Sequence, residues 1–292
     1  MLGSPAAAYS PARRDAQELL SFARISAYRS GKLGLSQILT DAMYSDPLGA
    51  LMALLPERNL LLEKLEKHDR EAVLTHMSDF DFDLGHVFGE PGEEVQQIYF
   101  VDRGVISAVS MMTNGETVEA YMIGREGFTG TTAWQVPFRT SVRYIGQIAG
   151  RARRIEARKL RELSSERPSL RLLLATYDAA LQVELEQSAP CNAVHRAEQR
   201  FAKWLLRAHD RADNDTLSMT QEFLANMLGA QRTTVNEAAQ SLAGVGAISY
   251  ARGKVLIKNR AALERAACEC YAAAKAVADR REASSEPVPV KS

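Results

Sequence analysis

Residues 217–258 read LSMTQEFLANMLGAQRTTVNEAAQSLAGVGAISYARGKVLIK and decide the fold of the C-terminal part of the chain. Their first part predicts a short helix, because Thr220 stands at a capping position before apolar residues at helical spacing. Gly229 suits the left-handed conformation in which many helices end. A second helix is predicted from Gln231 to about Leu242, with one apolar face formed by Val235, Ala238, Ala239 and Leu242. Two helices joined by such a tight turn predict a helix-turn-helix whose second helix is available to a DNA major groove.

The residues after the second helix predict a β wing with a basic tip. Gly244 and Gly246 end the helix, and two short strands are predicted at 248–250 and 255–257 around the sequence Ala-Arg-Gly-Lys. Between 217 and 260, five cations minus two anions leave an excess of three; the cations are Arg232, Arg252, Lys254, Lys258 and Arg260, and the anions are Glu222 and Glu237. This modest excess lies where DNA phosphates would lie in such a module.

The polar residues of this module are the candidate DNA contacts. They stand at the start of the first helix, on the outer side of the second helix and at the wing, and they are Thr220, Gln221, Gln231, Arg232, Thr233, Thr234, Asn236, Arg252 and Lys254. A helix pair from some other small helical domain is the alternative interpretation. The cap, the turn glycine, the polar helix face and the basic wing together favour DNA binding over that alternative.

The overall composition allows two packed domains and a soluble protein. The chain has 292 residues, 46% of them hydrophobic, and its 36 basic and 36 acidic residues balance. An even balance does not argue against DNA binding, because binding depends on where the cations lie. No stretch approaches the roughly 20 apolar residues of a bilayer span, and the first residues lack a signal pattern. We therefore expect a cytoplasmic protein with no membrane partner.

Upstream of the helix-turn-helix, a hydrophobic period of two predicts strands. Phe80 and Phe82 alternate with aspartates, residues 98–101 and 105–111 are apolar on either side of Gly104, and another alternating run follows from about 142 to 155. Asn114-Gly115 predicts a hairpin with a type I′ turn. Several short strands with turns between them favour an antiparallel β-roll or jelly roll, and hence an α+β fold for the whole chain.

A glycine-rich stretch interrupts these strands at Gly124-Arg-Glu-Gly-Phe-Thr-Gly130, and Arg139-Thr140 follows it. Glycines at this spacing free backbone N–H groups to point at an anion, and a later arginine can pair with a phosphate. The candidate effector residues are therefore Arg125, Gly130, Thr131, Arg139 and Thr140. Judged on these residues alone, a surface loop without a ligand is an equally good interpretation.

A long helix is predicted from Pro168 to about Ala189. It carries a heptad-like apolar stripe, namely Leu170, Leu174, Tyr177, Leu181 and Leu185. Such a stripe packs either on the chain's own β-roll or on a twin helix, and a second apolar side at Leu172, Leu173, Ala180 and Val183 allows both; we favour the first stripe as a parallel dimer seam. Pro190 is expected to end or kink the helix and to begin a hinge.

These patterns divide the chain into five segments. They are a partly disordered extension at 1–55, a β-roll sensory domain at 56–166, a dimerisation helix at 167–190, a winged helix-turn-helix domain at 191–275 and a tail at 276–292. The DNA-binding domain begins with a helix from Ala197 to about His209, and an alanine-rich helix is predicted over 261–280.

This order of elements resembles the cyclic-AMP receptor protein and fumarate-nitrate regulator (Crp/Fnr) family of bacterial transcription factors over about residues 59–258. The more specific parts are Ile123-Gly-Arg-Glu-Gly, the run Arg200-Phe-Ala-Lys-Trp-Leu-Leu, and Thr220-Gln-Glu together with 228–235. The resemblance implies a homodimeric regulator rather than an enzyme. It also implies double-stranded DNA with a two-fold symmetric site and half-sites one helical turn apart, and RNA polymerase as a further partner.

The chain departs from family members that bind cyclic AMP. Those members carry Gly-Glu where this chain has Gly130-Thr131, and their adenine contacts through Thr-Ser fall on Leu185 and Glu186. Arg139-Thr140 does match the phosphate-binding pair of those members. Because one retained anion contact leaves the sugar and base unpaired, we expect a different effector or none, and its identity is unknown.

The predicted DNA-reading helix also departs from the receptor protein. Arg232 matches the arginine that pairs with guanine, but Thr233 stands in place of a glutamate and Glu237 in place of a second arginine. The resemblance therefore implies a half-site that differs from that of the receptor protein.

The cysteines leave a second hypothesis open, a redox- or haem-responsive regulator of the same fold using Cys191 and His195. These two residues are four apart, and Cys268 and Cys270 add two thiols. The oxygen-sensing branch of the family uses cysteines mostly near the N-terminus, and this chain has none before Cys191. We expect Cys268 and Cys270 to point to opposite sides of a helix and chelate poorly, so we predict structural cysteines and no metal site.

A hypothesis from a different class is a ligand-binding module that regulates a partner enzyme. The sequence contains no nucleophile-elbow, metalloprotease or P-loop pattern. The winged helix-turn-helix favours DNA over this alternative.

Overall fold

The computed structural model describes residues 59–283, apart from Asn114 and Asp213. The extension predicted for 1–55 and the last residues of the predicted tail, 284–292, lie outside the described residues. The described residues form one compact unit.

An antiparallel sheet dominates the first part of this unit. Its strands are β1 (Ser78–Phe82), β2 (Val87–Gly89), β3 (Gln97–Met111), β4 (Thr117–Ile123) and β5 (Arg143–Glu156). The strand order is β1-β5-β3-β4, and β2 also pairs with β5. Every pair is antiparallel, which confirms the predicted roll and the α+β fold. Before the sheet lie a short 3-10 helix (Leu62–Lys64) and α1 (Lys67–Leu74).

The two strands predicted around Gly104 are one continuous strand, β3, with an irregular pairing to β5 at this point. Gly104 has a φ of 86°, and a Cβ there would lie 2.6 Å from the Ile148 carbonyl oxygen. The glycine therefore lets the strand bend without breaking. At the predicted hairpin, Met112 N–H donates to Glu116 O and Gly115 N–H donates to Met112 O, so the loop is longer than the two-residue type I′ turn that we expected.

Two helices follow the roll, α2 (Ala157–Glu166) and the long α3 (Pro168–Val194). The stripe predicted as a dimer seam faces the roll instead, because it completes the roll's own core. Leu170 and Leu174 are 0% exposed, and Tyr177 and Leu181 are also buried. The Tyr177 ring lies 4.7 Å from the Phe128 ring, centroid to centroid. Of the five predicted seam residues, Leu185 alone is exposed, so the prediction was wrong for the other four.

The long helix does not end at Pro190, as we had predicted, but runs to Val194. A proline removes the hydrogen bond that its own N–H would make one turn back, yet the next turn is well anchored. Cys191 is fully buried, and its carbonyl oxygen accepts from the His195 N–H at 3.2 Å. The buried side of this last turn holds the helix together where one backbone bond is missing.

The C-terminal part contains the predicted winged helix-turn-helix. Its elements are α4 (Ala197–Arg211), β6 (Thr216–Ser218), α5 (Gln221–Leu228), α6 (Arg232–Gly244), β7 (Ile248–Ala251) and β8 (Lys254–Ile257). Strand β6 was not predicted, and it pairs with β8 to make a three-stranded wing. The helix predicted over 261–280 is two helices, α7 (Arg260–Ala266) and α8 (Cys270–Ala283), because the chain turns sharply at 267–269.

Gly127 lies directly against Tyr177 of the long helix. A Cβ at this position would lie 2.1 Å from the Tyr177 hydroxyl oxygen and 2.4 Å from Cζ of the same ring. We expect Gly127→Ala to lower the free energy of unfolding by about 1–3 kcal/mol, because the buried ring must shift. Urea unfolding of the full chain would measure this loss.

Gly89→Ala is the matched control, since a Cβ on Gly89 would meet nothing within 4 Å. The double variant Gly127→Ala/Tyr177→Leu should lose less stability than the sum of its single changes, because the smaller side chain makes room. Strict additivity would contradict the proposed steric cause.

Candidate nucleic-acid interface

The second helix of the helix-turn-helix, α6, is anchored by one face and open on the other. Val235 and Leu242 are 1% and 0% exposed and belong to the core shared with α4 and α5. The opposite side exposes polar side chains, namely Arg232, Thr233, Glu237 and Gln240, while Thr234 and Asn236 are half-buried. A polar helix face of this kind can read the hydrogen-bonding groups of base edges.

The turn before α6 has the predicted geometry. Thr220 Oγ1 accepts from the Phe223 N–H at 3.1 Å, and Gly229 ends α5 with a φ of 56°. Gln231 is exposed at the N-cap of α6. The Gln221 side-chain amide donates to Asn236 Oδ1 at 3.2 Å, which ties the start of α5 to the exposed side of α6. The structure thus brings these predicted residues onto one surface.

Arg232 forms an ion pair with Glu222, whose Oε1 lies 2.7 Å from Nη2 of the arginine. Both side chains are about two-thirds exposed, at 64% and 65%. An exposed pair of this kind contributes roughly 0–1 kcal/mol. Arg232 can therefore exchange Glu222 for another partner at little cost.

The wing places its two predicted basic residues at a tight turn. Ala251 pairs with Lys254, and between them Arg252 and Gly253 have φ values of 50° and 72°. Positive φ at both central positions is the type I′ geometry, which matches the twist of a two-stranded hairpin. Met219 N–H donates to the Gly253 oxygen at 2.7 Å and fixes the tip beside the start of α5. Arg252 and Lys254 are both exposed there.

The same region matches a known family. Residues 199–266 fit the model of the Crp-like helix-turn-helix domain. The chain therefore carries a Crp-like helix-turn-helix domain, and its fold is that of solved Crp/Fnr regulators. The described residues combine an antiparallel roll, a long helix and this helix-turn-helix domain in one chain. No curated protein matches the chain.

Solved structures of Crp/Fnr-type regulators share this architecture. The c-di-GMP-responsive global regulator CLP of Xanthomonas campestris has a TM-score of 0.57 and 14% identity, over 66% of this chain and 100% of that one. FixK2 of Bradyrhizobium japonicum has a TM-score of 0.55 and 16% identity, over 66% and 98%. A CooA variant from Carboxydothermus hydrogenoformans has a TM-score of 0.52 and 15% identity, over 71% and 94%. At these identities the likeness establishes the fold.

Among the described helices, none combines the length and the apolar character that crossing a membrane requires.

The roll contains a cavity of about 200 Å³ between β2, β3 and the start of β5. Its polar lining includes Glu93, Glu94, Tyr99, Thr129, Thr140 and Tyr144. Tyr144 OH contacts Tyr121 OH at 3.0 Å, and burial raises the pKa of both phenols, so they remain neutral hydrogen-bonding groups. Two glutamates and neutral phenols are a poor lining for a phosphate.

The glycine-rich loop does not present open N–H groups to an anion, contrary to our expectation. Gly124 N–H donates to Glu126 Oε1, Gly127 N–H to Gly124 O, and Gly130 N–H to Tyr144 OH. These glycines instead allow close packing, as at Tyr177.

The other candidate effector residues are scattered. Thr140 is buried and lines the cavity, but its hydroxyl donates to Val142 O at 2.8 Å. Arg139 is exposed and donates to the Gly92 oxygen at 2.8 Å, while Arg125 and Thr131 do not line the cavity. The structure therefore does not assemble these residues into one anion site.

The cysteines lie closer together than we had predicted. Cys268 precedes α8 and Cys270 is its first residue, so the two do not lie on opposite sides of one helix. Both are buried beside Cys191 at the end of α3. Sequence spacing could not show this, because the chain turns between α7 and α8.

Sequence reasoning also missed the side chains that join the roll to the DNA-binding domain. Trp204 Nε1 donates to Glu119 Oε1 at 2.8 Å, and Arg211 Nε donates to Glu126 Oε1 at 2.7 Å. Burial raises the pKa of Glu119, and donation from Ser107 partly offsets the effect. The available signal was the pair of arginines, Arg207 and Arg211, one turn apart on the apolar side of helix α4.

Asp178 on α3 offers a pH-dependent test of this packing. Burial raises the pKa of Asp178 to about 6, although its carboxylate accepts from Trp134 Nε1 at 2.8 Å and from Gln135 Nε2 at 3.1 Å. A raised pKa means that this carboxyl favours folding below its ordinary pKa of 3.8 and loses that contribution as pH rises through about 6. Asp178→Asn should therefore stabilise the protein at pH 7.5 by about 1–2 kcal/mol, allowing for solvent screening, and by less at pH 4.5.

Urea unfolding of both proteins at the two pH values measures this difference. Asp83→Asn, at an exposed carboxyl of the roll, is the matched control. A stabilisation by Asp178→Asn that is the same at both pH values would contradict the electrostatic cause.

Proposed function

We propose that the chain regulates transcription as a homodimer that reads a two-fold symmetric DNA site through Arg232 and its neighbours on α6. The observation that carries this proposal is the exposed polar face of α6 beside a basic wing tip, with Arg232 held at the surface by Glu222. Two copies of such a helix would enter successive major grooves about 34–36 Å apart. A promoter-bound dimer of this kind would act by contacting RNA polymerase.

The outer face of α3 is the proposed dimer seam. Leu172 is 70% exposed and Val183 is 43% exposed, and the exposed Ala175 and Ala179 lie between them at helical spacing. These residues form a narrow apolar stripe on the side of α3 away from the roll. Burial of this stripe against the same stripe of a second copy removes exposed apolar side chains from water, and small alanines allow close approach of the two helices.

The glycine-rich loop connects the cavity to α3, the helix that leads to the DNA-binding domain. Gly130 N–H binds Tyr144 at the cavity, and Gly127, three residues earlier, lies under Tyr177 of α3. A ligand that moves Tyr144 would shift this loop and change how α3 lies on the roll. The chemistry of the cavity favours a neutral or cationic ligand over a nucleotide phosphate.

Arg232 and Lys254 should contribute to DNA binding in different ways. Arg232→Ala should weaken binding to the preferred site by about 1–3 kcal/mol with little loss on random DNA, because a bidentate contact to guanine is lost. Lys254→Ala should weaken binding to the preferred site and to random DNA to the same extent. It should also reduce the steepness of log K plotted against log salt concentration by about 0.9, because one phosphate contact is lost. The site would first be selected from a random pool and then titrated at several salt concentrations.

Arg158→Ala is the control, since this arginine lies on α2 and its side chain is 74% exposed. The selected site should be two-fold symmetric. An equal loss of specific and random binding on Arg232→Ala would refute the base-reading role, and a selection that yields no preferred sequence would refute the proposed function.

The seam predicts that Leu172→Glu/Val183→Glu converts the dimer to a monomer, because four glutamates would meet along one dimer axis. Analytical ultracentrifugation over a range of concentrations measures the change, and circular dichroism checks that the helices remain folded. Leu84→Glu is the control, since Leu84 is a comparably exposed leucine, at 58%, on the roll. A dimer that survives the double change would place the seam elsewhere.

A further inference from the structure

A cluster of four metal-ligating side chains lies where the long helix meets the DNA-binding domain. The ligand atoms of Cys191, His195, Cys268 and Cys270 all lie within 4.8 Å of one another. Cys191 is in the last turn of α3 and His195 directly follows that helix, while Cys268 and Cys270 flank the start of α8. The three cysteines are at most 3% exposed and are free thiols. Neither DNA reading nor the roll cavity uses these groups.

The distances within the cluster are those of ligands around a single ion. Cys191 Sγ lies 3.6 Å from Cys268 Sγ, and Cys270 Sγ lies 3.7 Å from His195 Nδ1. Zinc binds sulfur at about 2.3 Å and nitrogen at about 2.0–2.1 Å, so neighbouring ligands of a tetrahedral site lie about 3.4–3.8 Å apart. Both distances agree with this geometry, and together they involve all four residues.

We propose that Cys191, His195, Cys268 and Cys270 form a tetrahedral Cys3His site for zinc. Three thiolates and an imidazole are soft ligands that select zinc over magnesium, calcium or manganese. An iron–sulfur cluster fits less well, because it distributes its cysteines over two or more iron atoms, whereas these four ligand atoms all lie within 4.8 Å of one another. Complete protein ligation and burial indicate a structural rather than a catalytic ion.

Surrounding side chains support three of the four ligands, as they do in established zinc sites. His195 Nε2 lies 3.1 Å from Glu269 Oε1, which leaves Nδ1 facing the cysteines. Gln187 Nε2 donates to Cys270 Sγ at 3.2 Å. A carboxylate on the far nitrogen of a ligating histidine fixes its orientation and raises its basicity, and N–H donation to sulfur stabilises a thiolate.

Lys203 completes the charge balance of the site. Its Nζ donates to Cys191 Sγ at 3.1 Å, although the residue is only 8% exposed. Three thiolates and one Zn²⁺ leave one negative charge, which the ammonium neutralises.

The proposed ion would join parts of the chain that are remote in sequence. Cys191 and Cys268 are 77 residues apart, and Lys203 adds a contact from α4. One ion thus fixes the end of α3, and so the proposed hinge, to the α7–α8 turn of the DNA-binding domain. Metal occupancy would set how rigidly the long helix carries the DNA-reading helices.

The experiment measures zinc in the full-length protein, purified without an affinity tag and under reducing conditions. We expect about one zinc per chain, released by a thiol-blocking mercurial and measured with a colorimetric chelator. His195→Ala and Cys268→Ser should each lose the tightly bound zinc, and Glu269→Gln should weaken zinc affinity by about 10–100-fold. His86→Ala, at an exposed histidine of the roll, is the control and should retain the metal.

A second measurement covers the case in which the ligand variants fail to fold. Cobalt(II) substituted into the unaltered protein should give the visible absorption of a tetrahedral ion and the near-ultraviolet thiolate charge-transfer bands of a three-sulfur site. Three results would overturn the proposal: protein without metal that rejects cobalt, zinc that survives in folded Cys268→Ser protein, or iron with acid-labile sulfide in place of zinc. A Cys191–Cys268 disulfide that persists after purification under reducing conditions would also overturn it.

Discussion

The burial of helix α4 is the constraint on which the rest of the structure depends, because the middle of this helix is covered on every side. Residues 201–208 are all buried, which is unusual for a helix that carries charged residues. Phe201 and Leu205 pack into the helix-turn-helix core, and the same core continues into the roll through Val105, Val109 and Met122. The apolar burial of one helix therefore determines where both parts of the protein lie.

The polar side chains of α4 are each paired with a different neighbour. Trp204 binds Glu119 of the roll, Arg207 binds Glu184 of α3, and Lys203 binds Cys191 at the end of α3. Buried charges are costly unless they are paired, so these contacts hold α4 in one orientation. Helix α4 thus contacts the roll, the end of α3 and the helix-turn-helix core at once. The junction between the roll, α3 and the DNA-binding domain is therefore held by paired polar side chains.

Local chemistry made several elements predictable. Thr220 and Gly229 bound α5 because a capping hydroxyl and a left-handed glycine act within one turn of the chain. Phe80 and Phe82 alternate with aspartates because one side of an edge strand meets solvent. The stripe of α3 was recognised correctly as apolar, but its partner was not, since periodicity shows that a face is buried and not what covers it. The same limit applies to the cysteines, which an unexpected turn brings to one point.

The sequence by itself determined the antiparallel roll, the long helix, the winged helix-turn-helix and the polar face of α6, because each depends on residues close together in the chain. The tertiary structure alone decided which stripe of α3 faces the roll, how α4 binds both parts, that the glycine loop is packed rather than open, and that three cysteines and a histidine meet. These features depend on contacts between residues that are far apart in the sequence, at up to about a third of the chain length. The residues lie on helices whose relative angles no local pattern encodes. They follow from how the apolar faces fit together and from which buried charges find partners.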